Sequence, residues 1–349
     1  MTTSEATAPS LPPEVAATQL LFQIGAGYMA SAALQTVLKL GIADHMSAGP
    51  TSVADLARKT SVNEDALYRV MRTLASLGIF DEVSPHTFAL TLAGRMLQKK
   101  DSSFYNMGLW ITSPFHFRVY ANMLHSVTTG KPGADKVTGM PLFEYFAQPE
   151  NRELSEIFNN AMTGFSAQVG PAAVEAYDFS GIGTLVDVAG GHGMLLTSIL
   201  QKYPGMRGIL FDLPHVIEGA RPVIEAAGVK DRCTTQSGDF FKEVPDGDAY
   251  IMKHIIHDWD DERAGQILRT IRPHLSGEPA GRVILLEAVL QPGNQPDLGK
   301  MIDLEMLMMP GGKERSEAEF ATLFKSAGYA LTRVVPTKSP LSIIEAKVA

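Results

Sequence analysis

The sequence predicts an α/β protein in which an open, doubly wound parallel sheet follows a mainly helical N-terminal domain. Three observations carry this. In the second half, strand-like apolar runs at Thr184–Val188, Gly208–Phe211, Asp248–Met252 and Arg282–Leu286 alternate with helical stretches, the pattern of parallel strands joined by helical crossovers. Between Thr51 and Leu97, two short helices run into a hairpin. A length of 349 residues exceeds what one ordinary core organises and favours two domains. The spans expected are 1–104 and 105–349, with a helical region over about 105–180 opening the second.

In the first domain, Ser52 is placed to cap a helix through Leu56 and Ala57. Asn63 caps another, whose Leu67, Val70, Met71, Leu74 and Leu77 recur at helical spacing before Gly78 ends it. Strands at Ile79–Val83 and Thr87–Leu90 flank a turn at Ser84-Pro85-His86, which makes the module a winged helix. Upstream, Val15–Leu38 is a run of twenty-four residues without a charge. Gln19, Gln23, Gln35, Gly25 and Gly27 make it too polar for a lipid-facing span. Two helices buried against the domain or a second subunit are expected instead, and the run is an oligomerisation element. Residues 105–180 read as helical, with a loop at Thr129–Gly133 and a break at Pro149.

A winged helix raises the possibility of a DNA-binding regulator. Residues 1–104, however, hold eight Lys or Arg against nine Asp or Glu, whereas a duplex reader needs a basic face. The whole chain carries a net charge of −8, which repels polyphosphate and anionic lipid. Neither nucleic acid nor membrane is an expected partner. The single Cys233 excludes an intramolecular disulfide and a cysteine-rich zinc cluster, and reads as a small buried residue. With Glu5 and no basic residue before Lys39, no secretory signal is expected, and the location expected is cytoplasmic.

Ligands of such a sheet bind beyond the carboxyl ends of its strands. The first strand ends in Asp187-Val-Ala-Gly-Gly-His-Gly193. The glycines admit close approach to the backbone. An acid before them repels a pyrophosphate and suits a cation or an amine, so S-adenosylmethionine fits better than a dinucleotide. The second strand ends at Asp212, twenty-five residues on, a spacing suited to binding the two ribose hydroxyls of an adenosine. Next comes Gly238-Asp-Phe-Phe241: Asp239 is placed to accept from an adenine amino group and Phe240 to pack on its ring. The fourth strand runs into Lys253-His-Ile-Ile-His257-Asp-Trp259, and the fifth ends at Glu287. His257 and His254 both lie in range to act as the base that deprotonates a phenol, with Glu287 orienting the imidazole. No metal is expected.

Five motifs in order, Leu185–Gly193, Phe211–Val216, Gly238–Phe241, His257–Trp259 and Pro310–Arg315, resemble the caffeate and hydroxyindole type of S-adenosylmethionine-dependent O-methyltransferase. The resemblance covers nearly the whole chain. It implies a Rossmann-like class I methyltransferase domain behind a winged-helix dimerisation domain, whose first helices help close the partner's site. It assigns Gly190, Asp212, Asp239, Phe240 and Lys253 to the cofactor and His257 to the catalytic base. Glu287 and Glu314 become the acids that hold that base and the acceptor hydroxyl. Phe158, Met162, Met306 and Met309 resemble positions lining the acceptor pocket. The reaction implied is methylation of a hydroxyl on a small aromatic molecule by a homodimer. The alternatives are C- or N-methylation, or a non-methylating use of the cofactor. Ala189 stands where the family's loop usually has glycine, which requires a negative φ there. The chain is expected to close with an antiparallel pair, Ala330–Val335 with Leu341–Ala346.

Overall fold

The structure, a computed structural model, describes residues 12–100, 104–276 and 281–349. The start of the 1–104 span, with Glu5, and residues 101–103 at its end lie outside the described residues. The chain forms two compact units that divide between Ser113 and Pro114. Helix Tyr105–Ile111 therefore belongs to the first unit, whereas the sequence reading began the second domain there. The reason is packing: Gly108 lies so close to Leu38 that a Cβ would come within 2.8 Å of its side chain. Thr112 also donates to Gln35 at 2.7 Å.

The uncharged run is one continuous helix, Pro13–Lys39, not the two expected. Glycine inside a helix costs only about 1 kcal/mol relative to alanine, and Gly25 and Gly27 are carried by the residues around them. The expected burial is confined to the end of the run: Gln35, Val37 and Leu38 are buried, while Leu21 and Phe22 are 71% and 73% exposed. The winged helix follows. Ser52 accepts from the Asp55 N–H and starts helix Val53–Thr60, and Asn63 accepts from Ala66 and starts helix Glu64–Ser76. The sheet contains β1 (Thr51–Ser52), β2 (Phe80–Ser84) and β3 (Thr87–Leu90) in the order β1-β3-β2. The two-residue β1 carries no alternation that a sequence reading detects. No helix among the described residues is long and apolar enough to cross a membrane.

The second unit opens with short helices and then a long one, Arg152–Ala176. Its sheet comprises β4 (Thr184–Val188), β5 (Arg207–Asp212), β6 (Cys233–Ser237), β7 (Ala249–Lys253), β8 (Arg282–Glu287), β9 (Tyr329–Pro336) and β10 (Ser342–Val348). The order is β6-β5-β4-β7-β8-β10-β9. The first five strands are parallel, and β10 pairs antiparallel with both β8 and β9. Strand order reverses between β4 and β7, which opens a crevice at their carboxyl ends. Alternate residues feed two cores. Leu185, Ile284 and Leu286 join one beneath helix Met194–Lys202, while Val186, Val283 and Leu285 join the other beneath helix Asp261–Ile271. Burial on both faces is why these strands read as unbroken apolar runs.

Candidate active site

Every residue assigned from the strand ends lies in the second unit. Asp187, next to last in β4, is buried, and its Oδ2 has no hydrogen-bond partner among the described residues. Burial pushes its carboxyl up to about 7, opposed by Lys253 and reinforced by Asp212. Gly190 lies against it: a Cβ there would stand 2.5 Å from the Asp187 carboxyl and from Leu210. Ala189 has φ +54°, so the requirement for a negative φ is not met. The turn out of β4 needs left-handed backbone, its N–H donating 2.7 Å to Phe211 O, and alanine bears a strain of roughly 1–2 kcal/mol there.

Asp212 ends β5 and accepts from Gly191 N–H at 2.8 Å through Oδ2 and from Leu213 N–H at 2.7 Å through Oδ1. It thus ties the β4 loop to the β5 end, and burial raises its pKa. Asp239 accepts from Phe241 N–H at 2.9 Å and lies 3.1 Å from Lys242 Nζ. Phe240 sits half-buried in a ring cluster with Phe241 and Trp259, at 4.8 Å and 6.2 Å between centroids. Lys253, at the end of β7, is 5.8 Å from the Phe165 ring, and burial lowers its pKa against the pull of Asp187 and Glu287.

The carboxylates converge on His257. Its Nδ1 is 2.6 Å from Glu314 Oε1 and 3.6 Å from Glu287 Oε2. Glu314, not Glu287, therefore makes the tight hydrogen bond, while Glu287 Oε1 accepts from the N–H groups of Ile255 and Ile256 at 3.1 and 3.0 Å. When Glu314 is ionised, Nδ1 donates to its carboxylate, which leaves Nε2 to take a proton. Asp258 Oδ1 lies 3.5 Å from Nε2. Burial pushes Glu287 and Asp258 up to about 7 and Glu314 up to about 8. Glu287 Oε2 and Glu314 Oε2 are buried without a hydrogen-bond partner among the described residues.

The loop bearing Glu314 clasps the turn bearing His257, a feature the sequence reading missed. A Cβ on Gly312 would come 1.9 Å from His257 O, and Lys313 N–H donates to that oxygen at 2.8 Å. The buried Arg315 donates to Ile256 O, Trp259 O and the Asp261 carboxylate. Asp303 accepts from Glu314 N–H. The motif Pro310–Arg315 was the available signal, though only tertiary contact reveals what its glycine and arginine touch. Of the pocket candidates, Phe158 packs on Phe146 and Phe143, with centroids 5.1 and 6.4 Å apart, and Met162 is half-buried one turn later. Met306 and Met309 are buried.

Nitrogens of His254 and His257 and an oxygen of Glu287 lie within 4.8 Å of one another. The two imidazoles are stacked, 4.4 Å apart with planes at 24°, so their in-plane lone pairs run side by side and do not converge on one point as tetrahedral coordination requires. For S-adenosylmethionine the fit is better. The orphaned Asp187 oxygen suits a cationic amine, the Asp212 carboxylate closes the β5 end, and Phe240 presents an aromatic face.

These strand-end residues on this sheet order define a class I methyltransferase. The O-methyltransferase domain family matches residues 120–330, and the O-methyltransferase dimerisation domain matches 22–100. The chain is 42% identical over 94% of its length to the phenazine O-methyltransferase of Lysobacter antibioticus, covering 95% of that protein. Among solved structures, it matches the calicheamicin-biosynthesis methyltransferase CalO1 in its SAH-bound form at 32% identity, TM-score 0.85, covering 97% of this chain and 100% of that one. It matches the neocarzinostatin-biosynthesis O-methyltransferase NcsB1, in complex with S-adenosylmethionine and 2-hydroxy-5-methyl naphthoic acid, at 29% identity and TM-score 0.77, covering 91% and 96%. The chain belongs to this family of S-adenosylmethionine-dependent O-methyltransferases.

Proposed function

We propose that this enzyme methylates a phenolic hydroxyl of a small aromatic secondary metabolite, with His257 as general base. The observation that carries the reading is the 2.6 Å contact between His257 Nδ1 and Glu314, which fixes the tautomer and leaves Nε2 for the acceptor. A phenol has a pKa near 10 and is mostly neutral at cellular pH, so its proton has to be removed as the oxygen attacks. His257 takes that proton at Nε2. The Glu314 carboxylate stabilises the imidazolium that forms, and Glu287 holds the preceding backbone so that the ring keeps its place. Asp187, Gly190, Asp212, Asp239, Phe240 and Lys253 would hold S-adenosylmethionine, which supplies an electrophilic methyl group when bound. Phe158, Met162, Met306 and Met309 would line the acceptor pocket. The phenazine and naphthoic acid in the relatives' names support an aromatic acceptor.

The match to a dimerisation domain and the exposed apolar stretch of helix Pro13–Lys39 support a homodimer formed through the N-terminal domain. The acidic balance of residues 1–104 supports a winged helix that does not bind nucleic acid, and the lone buried Cys233 supports a reducing, cytoplasmic setting.

The test is incubation with labelled S-adenosylmethionine and a panel of phenols, quinone-derived aromatics and polyketides, followed by mass spectrometry. The expected product is an aryl methyl ether. Methyl transfer exclusively to carbon or nitrogen would overturn the reading. His257→Ala is expected to lower kcat by about 10²- to 10⁴-fold, the usual contribution of a general base, with cofactor affinity kept.

A further inference from the structure

His254 directly follows β7 and has φ +55°, a region in which a residue with a Cβ is strained. Glycine would make the turn freely, so the side chain has to justify the strain. Its backbone N–H donates to Leu286 O at 3.1 Å, which holds the residue on the sheet as the chain turns away. The ring is clamped on both faces. Phe165 lies 5.1 Å from it with planes at 15°, and His257 lies 4.4 Å away at 24°. Burial first, then the neighbouring His257 and Lys253, hold the imidazole neutral, far below its ordinary pKa.

We propose that His254 is a positioning residue for His257, the neutral middle ring of a Phe165–His254–His257 stack that fixes the plane of the base. The proposal rests on the reading of His257 as the general base. Glu314 holds His257 by one tight hydrogen bond at Nδ1, about which an imidazole still swings. A flat ring packed 4.4 Å away removes that freedom. The middle ring has to be uncharged, because two imidazolium rings face to face repel once His257 holds the proton. It also has to tolerate left-handed backbone. Among ring-bearing side chains, histidine is the one enriched there, which explains why the position is not phenylalanine.

Two variants separate the ring from its nitrogens. His254→Asn keeps a residue at ease with positive φ and removes the ring, whereas His254→Phe keeps the ring. For His254→Asn, kcat is expected to fall about tenfold, since even a 1 Å misplacement costs up to about 10²-fold. The acid limb of its pH–rate profile shifts, while its melting temperature and its calorimetric affinity for S-adenosylmethionine stay near wild type. His254→Phe recovers most of kcat and melts lower. In the His257→Ala background, His254→Asn has no further effect.

Wild-type kcat and pH profile in His254→Asn would overturn the proposal. So would a folded His254→Phe as impaired as the asparagine variant, or an equal loss from His254→Asn with and without His257. If His257→Ala alone keeps wild-type turnover, the general-base reading is what has failed. If His254→Phe does not fold, the asparagine variant and the double-variant comparison decide.

Discussion

Glu314 Oε1 stands 2.6 Å from His257 Nδ1, and the two residues come from segments fifty-seven positions apart that the Gly312 contact presses together. In the proposed mechanism, Glu314 so placed and ionised selects the ring tautomer and stabilises the imidazolium. Replacing it with an amide keeps the size but loses the charge, and an equivalent change in a catalytic triad costs about 10⁴-fold. Glu314→Gln is therefore expected to lower kcat by roughly 10²-fold or more, with cofactor affinity unchanged by calorimetry. The loss should shrink for an acceptor whose hydroxyl is already ionised. Equal losses on acidic and ordinary phenols would mean that the pair does something other than remove a proton.

Asp212 accepts one backbone N–H at each of its carboxylate oxygens, and in the proposed site the remaining lone pairs of those oxygens accept from the ribose diol. Charge-assisted hydrogen bonds contribute roughly 1.5 to 3 kcal/mol each. Asp212→Ala is expected to weaken S-adenosylmethionine binding at least tenfold, or about 1.4 kcal/mol. Titration calorimetry on the purified protein measures it, and unchanged affinity would remove Asp212 from the cofactor site.

The left-handed φ of +54° at Ala189 predicts a stabilising substitution. Glycine releases roughly 1–2 kcal/mol of strain and gives back about 0.5–1 kcal/mol through the freer unfolded chain. Ala189→Gly should raise the denaturant midpoint by the equivalent of about 0.5–1 kcal/mol at unchanged m-value. A lower midpoint would show that the alanine methyl group contributes packing that outweighs the strain.

Far from the crevice, Glu345 on β10 predicts a pH dependence of stability. Burial pushes its carboxyl up, but hydrogen bonds from Tyr177, Thr332 and Arg333, with the Arg333 charge, outweigh burial and hold it at about 2. Because the folded pKa lies below the unfolded value of about 4.3, the contribution is fully present above that value. It is lost as pH falls through the folded pKa. Glu345→Gln should therefore flatten the stability curve between about pH 4.5 and 2, and should destabilise the protein at pH 7. A variant with the same acid limb as wild type would place that proton uptake elsewhere.

Leu21 and Phe22 are exposed in a single chain, so charging them disturbs no core within one protomer. Fully burying such a side chain is worth about 1.5–3 kcal/mol. Leu21→Glu with Phe22→Glu should weaken the dimer roughly a hundredfold or more without lowering the helix content. Light scattering across a dilution series reads this directly, and an unchanged dimer would put the interface elsewhere.

The local pattern of the sequence determined the parallel strands, the acids at their ends and the helix caps at Ser52 and Asn63, and short motifs shared with the family singled out His257, Glu287 and Glu314, which the structure brings together. Each of these is written within a few neighbouring residues, as a burial period, a capping side chain or a short motif. Tertiary structure decided the rest. Whether Gly25 and Gly27 break the first helix, whether helix Tyr105–Ile111 joins the first unit, and whether Glu287 or Glu314 holds the imidazole are settled between segments distant in sequence. The same holds for the left-handed backbone at Ala189 and His254, which their own side chains disfavour. Propensity acts over one or two turns of chain and is worth about 1 kcal/mol per residue, so packing, hydrogen bonds and burial formed only in the folded protein override it.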